Sequence, residues 1–311
     1  MRRLLPALAL LTGCLAAHQE PAVRGLPLDD RAAPLSAVWV GHATVLLRMG
    51  RRVVLTDPNL NGALVVVPRE TPASLTPWEL PRVDVAVISH MHLDHFDVPT
   101  VRKLGFATTI LYPDGGQTYA AEIPQPDQRP LKRWESVQVR GLTITAVPAR
   151  HQGGRFGLDA LWNHAYTGYV IEGAGCRVFF AGDTGYDPRI FREIGARFPG
   201  IDLAFIPIAP AKTGRKRDRW GHASPAEALD IFRDLGATAM VPIHFEAYYS
   251  RGLDHGAPRR VLLAEVERRE LQDRVFALRT GERLVLGSDG PRVIAETARK
   301  PISSASRLGA R

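Results

Sequence analysis

The segment His90-Met91-His92-Leu93-Asp94-His95 sets three imidazoles and one carboxylate within six residues, in a chain that holds ten histidines altogether. Zinc takes such nitrogen and oxygen donors at about 2.0–2.2 Å, and iron and manganese accept the same set. The segment follows Val83 to Ile88, an apolar run interrupted by Asp84, which reads as a buried strand. Side chains alternate along an extended backbone, so His90 and His92 point to one side. A turn after Leu93 then carries Asp94 and His95 toward a neighbouring position. The chemistry on offer is divalent-metal binding, and with it the activation of water for hydrolysis.

Three further residues share one placement. His151 comes shortly after the run Leu142 to Val147, Asp183 closes Arg177 to Gly182, and His244 closes Ala239 to Ile243. Singly, each is an ordinary cap or turn residue. Together with the first segment, four strands run apolar and then deliver a donor past their C-terminal ends, as happens when a site is assembled from loops at one edge of layered sheets. Metal-bound histidines also need a partner on the other ring nitrogen to fix their tautomer. Asp57, after the strand Val53 to Thr56, is the first candidate for that support, and His42 is the next, with a satisfied core histidine as an equal reading of His42. His164 and His255 lie in polar loops and read as having no function. Lys212, Arg215, Lys216, Arg217 and Arg219 form a basic run. Such a run is a solvated loop unless it borders the site, where it would draw an anionic diester or a lipid head group.

The elements that must position these residues follow from periodicity. Strands are predicted at 37–48, 52–56, 83–89, 107–111, 136–140, 142–147, 166–172, 176–182, 202–207, 238–243 and 282–286. Helices are predicted near 98–104, 115–121, 188–197, 225–235 and 258–270. Ser224-Pro225-Ala226-Glu227 reads as a capping box with proline at the first helical position, and Asp187-Pro188 as an N-cap. Strands come first in meanders, with helices inserted between the later ones. The expected class is α+β, a four-layer αββα sandwich over residues 37–287, preceded by a Pro- and Gly-containing tether at 14–36 and followed by a loose tail at 288–311.

At 311 residues and 45% hydrophobic the chain can bury a sizeable core, and the formal charge of +8 favours anionic partners. No segment beyond the start is long enough to span a bilayer. Exposure outside the cytoplasm and the lack of interleaved aromatics in the basic run count against nucleic acid. Met1-Arg2-Arg3, then the apolar Leu4 to Leu11, form a secretory signal over 1–13. Leu11-Thr12-Gly13-Cys14 resembles the lipobox of bacterial lipoproteins, which implies acylation of Cys14 and a lipid anchor in the cell envelope. Leu15 after the cysteine is the pattern of outer-membrane, periplasmic-side sorting, and plain secretion or a periplasmic location is the alternative. Cys176 is then left alone in an apolar run, which excludes a disulfide framework within the mature monomer.

The segment His90 to His95 matches the H-x-H-x-D-H signature of the metallo-β-lactamase superfamily, and the later histidine, aspartate and histidine fall in that family's order. Trp39-Val40-Gly41-His42-Ala43-Thr44, Thr56-Asp57-Pro58, Phe180-Ala181-Gly182-Asp183-Thr184-Gly185-Tyr186 and Ile206-Pro207-Ile208 resemble its N-acylphosphatidylethanolamine phospholipase D-like branch. The resemblance implies two divalent ions, zinc first among them. One would lie on His90, His92 and His151, the other on Asp94, His95 and His244, with Asp183 bridging. It implies that His222, in Gly221-His222-Ala223, contacts substrate and that Asp94 serves catalysis as well as binding. The substrate-contacting position between the second and third ligands, often tyrosine in the family, is Leu93 here. The activity implied is that of a membrane-tethered phosphodiesterase of phospholipase D type, acting on an N-acyl phospholipid or related diester through a metal-bridging hydroxide. A lactonase or other carboxylic ester or amide hydrolase and a non-catalytic metal-binding protein are the alternatives.

Overall fold

The computed structural model describes residues 21–25, 33–155, 159, 163–212, 221–248 and 254–295. The expected signal sequence, Cys14, most of the tether and the basic run after Lys212 lie outside the described residues.

The chain opens with β1 (Leu35–Gly41), β2 (Thr44–Met49) and β3 (Arg52–Thr56), then a two-stranded ribbon of β4 (Ala63–Leu64) and β5 (Val67–Pro68). It continues through β6 (Val85–Val87), α1 (Val98–Val101), β7 (Thr109–Pro113), α2 (Gln117–Ala120) and β8 (Gln128–Leu131). There follow β9 (Ser136–Val139), β10 (Leu142–Val147), β11 (Gly168–Gly173), β12 (Cys176–Phe180), α3 (Pro188–Arg197), β13 (Leu203–Pro207), α4 (Pro225–Leu235), β14 (Ala239–Ile243), α5 (Ala257–Arg268), β15 (Arg283–Gly287) and β16 (Gly290–Ile294). One sheet has the order β16-β15-β1-β2-β3-β6-β7-β8, the other β14-β13-β12-β11-β10-β9.

Period-two alternation decides which side chains meet. Leu35, Ala37, Trp39, Val45, Leu47, Val54, Val85 and Val87 join the core that the two sheets share. Their neighbours Val38, Val40, Leu46, Val53, Leu55 and Ala86 face the other way, into a second core with Val98 and Val101 of α1 and Ala120 of α2. Phe191, Ile194, Leu229, Phe232, Leu262 and Val266 bring α3, α4 and α5 onto the second sheet. The result is the expected αββα layering. Caps behave as the sequence implies. Asp187 accepts from Arg189 N at 3.0 Å, Ser224 and Glu227 form the full capping box, and Gly236 ends α4 in the left-handed conformation.

Several boundaries differ from expectation. The predicted strand 37–48 is a hairpin, because Gly41 (φ 128°) and His42 (φ 56°) turn the chain between β1 and β2. The polar, Pro130-containing β8 was not expected; it sits at the end of its sheet, where proline is tolerated. Structure also extends past both domain limits. Val23 is buried and its N–H reaches Thr280 O at 3.3 Å, while β16 pairs with β15 inside the stretch expected to be loose.

Topology explains the site. In the first sheet β1 and β3 run the same way and β6 is parallel to β3; in the second, β10 runs with β12, which is parallel to β13 and β14 through the ladder. The C-terminal ends of β1, β3 and β6 therefore share one edge of the first sheet, and those of β10, β12 and β14 share one edge of the second. His42, Asp57, the His90 segment, His151, Asp183 and His244 all follow those ends.

Candidate metal centre

Asp57 lies at the foundation of the site. It is fully buried, with a left-handed backbone at φ 33° that turns its carboxylate off the strand direction. Ser89 N donates to Asp57 Oδ1 at 2.6 Å and Ser89 Oγ to Asp57 Oδ2 at 2.6 Å. His95 Nδ1 stands 2.7 Å from Asp57 Oδ2, and Ser89 Oγ lies 2.9 Å from His90 Nδ1. One carboxylate thus contacts one histidine directly and a second through Ser89. Gly182, at φ 58°, allows the approach: a Cβ there would fall 2.3 Å from Ser89 Cβ.

His90, His92 and His151 form a first donor group. His90 Nε2 and His92 Nδ1 are 2.8 Å apart, and His151 Nε2 is 3.3 Å from the same His92 atom. His151 Nδ1 donates to Gly221 O at 2.8 Å, which leaves Nε2 turned inward. Asp94, His95 and His244 form a second group, and His42 joins it: His42 Nε2 is 3.0 Å from Asp94 Oδ2. Asp94 Oδ2 lies 3.5 Å from His95 Nε2 and 3.7 Å from His244 Nε2. Asp183 stands between the groups. Its Oδ2 is 3.1 Å from His244 Nε2, 3.3 Å from His95 Nε2 and 3.9 Å from His151 Nε2. His222 Nε2 approaches the same oxygen at 3.1 Å. All seven residues expected to bind metal, with His222 and both expected supporting residues, are thus in one place.

The donor chemistry fits a divalent cation. His95 Nε2, His244 Nε2 and Asp183 Oδ1 are buried without a hydrogen-bond partner, and buried polar atoms rarely stay so. Burial raises the Asp94 and Asp183 carboxyls, yet the facing histidines override it and hold both well below the ordinary carboxylate range. The first group's imidazoles go the other way. Burial drives His151 down to about 3, His90 well below its usual value, and His92 down as well. In the second group burial likewise opposes charge, but Asp183 and Asp94 prevail and lift His244 to about 9 and His95 well above its usual value. His42 is brought down to about 3 by burial and by His244.

A cavity of about 710 Å³ opens on the second group. Its polar end carries His42, Asp94, His222 and His244, and its walls include Leu64, Pro210, Ala247, Pro258 and Val261. Leu93 is not among the residues that line it. His255, read from sequence as idle, does line it, and pairs with Glu70 at 3.1 Å. His164 packs edge-on to Tyr166 and does not line this cavity.

Residues 52–245 match the family model of the beta-lactamase superfamily domain. The chain belongs to this superfamily. Its fold is the metallo-β-lactamase fold, shared with a possible metal-dependent hydrolase from Veillonella parvula at TM-score 0.65 and 17% identity, over 82% of this chain and 100% of that one. An uncharacterized protein of Mycobacterium tuberculosis is 35% identical over 76% of this chain and 65% of its own length. The chain therefore spans just under two thirds of that relative. An N-acyl-phosphatidylethanolamine-hydrolyzing phospholipase D 1 of Caenorhabditis elegans is 29% identical over 82% of this chain and 77% of its own.

Around this superfamily's metal-binding segment stand residues that sequence reading missed. Arg155 Nη1 donates to Met91 O at 3.2 Å and Phe96 O at 2.9 Å, clasping both ends of the segment. Asn59 Nδ2 donates to Asp94 O at 2.9 Å and to the Tyr248 hydroxyl at 2.6 Å. The buried Arg69 donates to Asn59 O at 2.9 Å. None of the three matches a ligand pattern, and each acts through a backbone carbonyl that only the fold brings near. Asn59, two residues past Asp57, carried the one available signal: a polar side chain three residues past the end of a buried strand.

Proposed function

We propose that the chain is a metal-dependent hydrolase of the metallo-β-lactamase superfamily that cleaves phosphodiesters in phospholipase D fashion, with an N-acyl phospholipid or related diester as substrate. The observation that carries this reading is the cavity. Its end against Asp94, His222 and His244 is polar, and much of the rest is hydrocarbon, so it suits a phosphate joined to an apolar chain. The likeness to the C. elegans enzyme runs through most of the chain and supports the same substrate class.

Divalent ions held by the two donor groups, zinc first among them, would lower the pKa of bound water toward about 7 and polarise the ester under attack. The protein's own part is positional. Asp57 and Gly221 O hold His95 and His151 by their Nδ1 atoms, so both present Nε2. Asp94 and Asp183 keep their carboxylates charged, and Asp183 ties one group to the other. His222 is partly exposed beside Asp183 and lines the cavity, placed to bond the oxyanion that develops on the substrate. Lys212, at the cavity wall, adds a cation for an anionic head group. Acylation at Cys14 would tether this site to the envelope membrane that supplies such a lipid.

The test is hydrolysis by the purified, metal-loaded protein of bis-p-nitrophenyl phosphate and of N-acyl phosphatidylethanolamine in vesicles, beside nitrocefin and a lactone panel. Diester cleavage that a chelator abolishes and zinc restores is the expected result. Turnover of lactones alone would move the assignment to carboxylic substrates, and stoichiometric metal without any turnover would make this a binding protein.

A further inference from the structure

Tyr248 lines the cavity beside the second donor group and is fixed on several sides. Its backbone forms a bridge with Arg69, whose guanidinium lies 5.4 Å over the phenol ring. The ring meets His42 edge-on at 5.1 Å. Its hydroxyl accepts from Asn59 Nδ2 at 2.6 Å. That direction is set by chemistry, because the same Nδ2 serves Asp94 O at 2.9 Å, and a carbonyl can only accept. Since the phenol oxygen is already an acceptor, its hydrogen is left to donate elsewhere. Among the described residues the hydroxyl makes no second hydrogen bond. Tyr248 lines a cavity ending in Asp94 and His244, and a clamped hydroxyl with a spare proton on such a residue is a preorganised donor for an anionic oxygen.

We infer that Tyr248 is a substrate-binding residue whose hydroxyl donates to a phosphoryl oxygen of the diester. His222 approaches from Asp183, and Tyr248 approaches from the Asp94 side, so the two donors grip the phosphoryl group from different loops. The inference rests on the phosphodiesterase reading of the same site.

The test compares the metal-loaded full chain with Tyr248→Phe, which keeps the ring and removes only the hydroxyl. Three quantities are measured: metal content, kcat/KM on bis-p-nitrophenyl phosphate, and the inhibition or binding constant of inorganic phosphate. Full metal content, a fall of about 10- to 100-fold in kcat/KM and a comparable weakening of phosphate are expected. Values within twofold of the parent protein would overturn the assignment. So would loss of metal in Tyr248→Phe, since Tyr248 would then act only by propping Asn59 and Asp94. If the parent cleaves no diester, the functional reading fails by itself, and phosphate binding still decides Tyr248: weaker in the variant supports it, unchanged refutes it.

Discussion

His90, His92 and His151 are imidazoles kept neutral by burial and by one another, whereas His95 and His244 face two ionised carboxylates that hold protons on them. The two halves of the candidate metal centre therefore differ in what a cation would have to do to enter. At the first, lone pairs are already free. At the second, the cation must displace protons from Nε2 atoms that point at Asp94 and Asp183. Asp183 reaches both halves directly, through His151 on one side and His95 and His244 on the other.

The largest effect should come from removing that link. Asp183→Ala deletes the oxygen on which three histidines of the two groups and His222 converge, and leaves His244 with Asp94, and His95 with Asp94 and Asp57, as their remaining carboxylates. Lost metal-supplied charge stabilisation of several kcal/mol corresponds to a fall of about a thousandfold or more in kcat. Steady-state kinetics with elemental analysis measures it. A variant that keeps two ions and a tenth of parental turnover would show that the halves are held independently.

Next in size is the dependence of metal uptake on pH. Between pH 6 and 8.5 the first group binds without releasing protons, so its affinity should be nearly flat. The second must expel the His244 proton, and its affinity should climb about tenfold per pH unit up to about 9, with His95 steepening the rise. The stability sign follows. His244 has a raised pKa in the metal-free fold, so its contribution is complete below the ordinary value of about 6.5 and is lost as pH rises through about 9. With free zinc buffered between the affinities of the two groups at pH 6, one ion per chain is expected at pH 6 and close to two at pH 8.5. Equal filling of both positions at every pH would show that the two groups do not differ in the protons they hold.

Much of this centre could be read from the chain, for a physical reason. Four donors within six residues, and single donors at the ends of apolar strands, are local facts that survive without coordinates. Asp57 was legible too, as a carboxylate closing a buried strand. What remained hidden is the backbone at the donors: His42, Asp57 and His244 have φ of 56°, 33° and 61°, a region that costs non-glycine residues about 1–3 kcal/mol and that no hydrophobic pattern reports. Membership of His42 in the second group follows from its turn, which the reading of 37–48 as one strand concealed. Arg69, Arg155, Asn59 and Tyr248 were missed because their partners are far away in sequence and near only in the fold. The pairing of β16 with β15 was obscured by a polar, small-residue composition suited equally to a tail.

The finest contrast is between the supports of the two groups. Ser89 Oγ joins Asp57 Oδ2 to His90 Nδ1, so Ser89→Ala strips the first group of the contact that fixes its tautomer while leaving the His95 contact with Asp57 in place. Asn59→Ala does the converse, freeing the Asp94 carbonyl and the Tyr248 hydroxyl on the second side. Outer contacts of this kind are worth about 10- to 100-fold in metal affinity, and the lower end is expected for a hydroxyl and an amide. Titration of each variant with zinc at pH 8.5 should show a crossed pattern: Ser89→Ala weakens one binding step about tenfold, and Asn59→Ala weakens the other. If both variants weaken both steps alike, Asp57 transmits either change across the whole cluster. The centre then behaves as one cooperative cage, and the electrostatic difference between its halves governs protons but not metal.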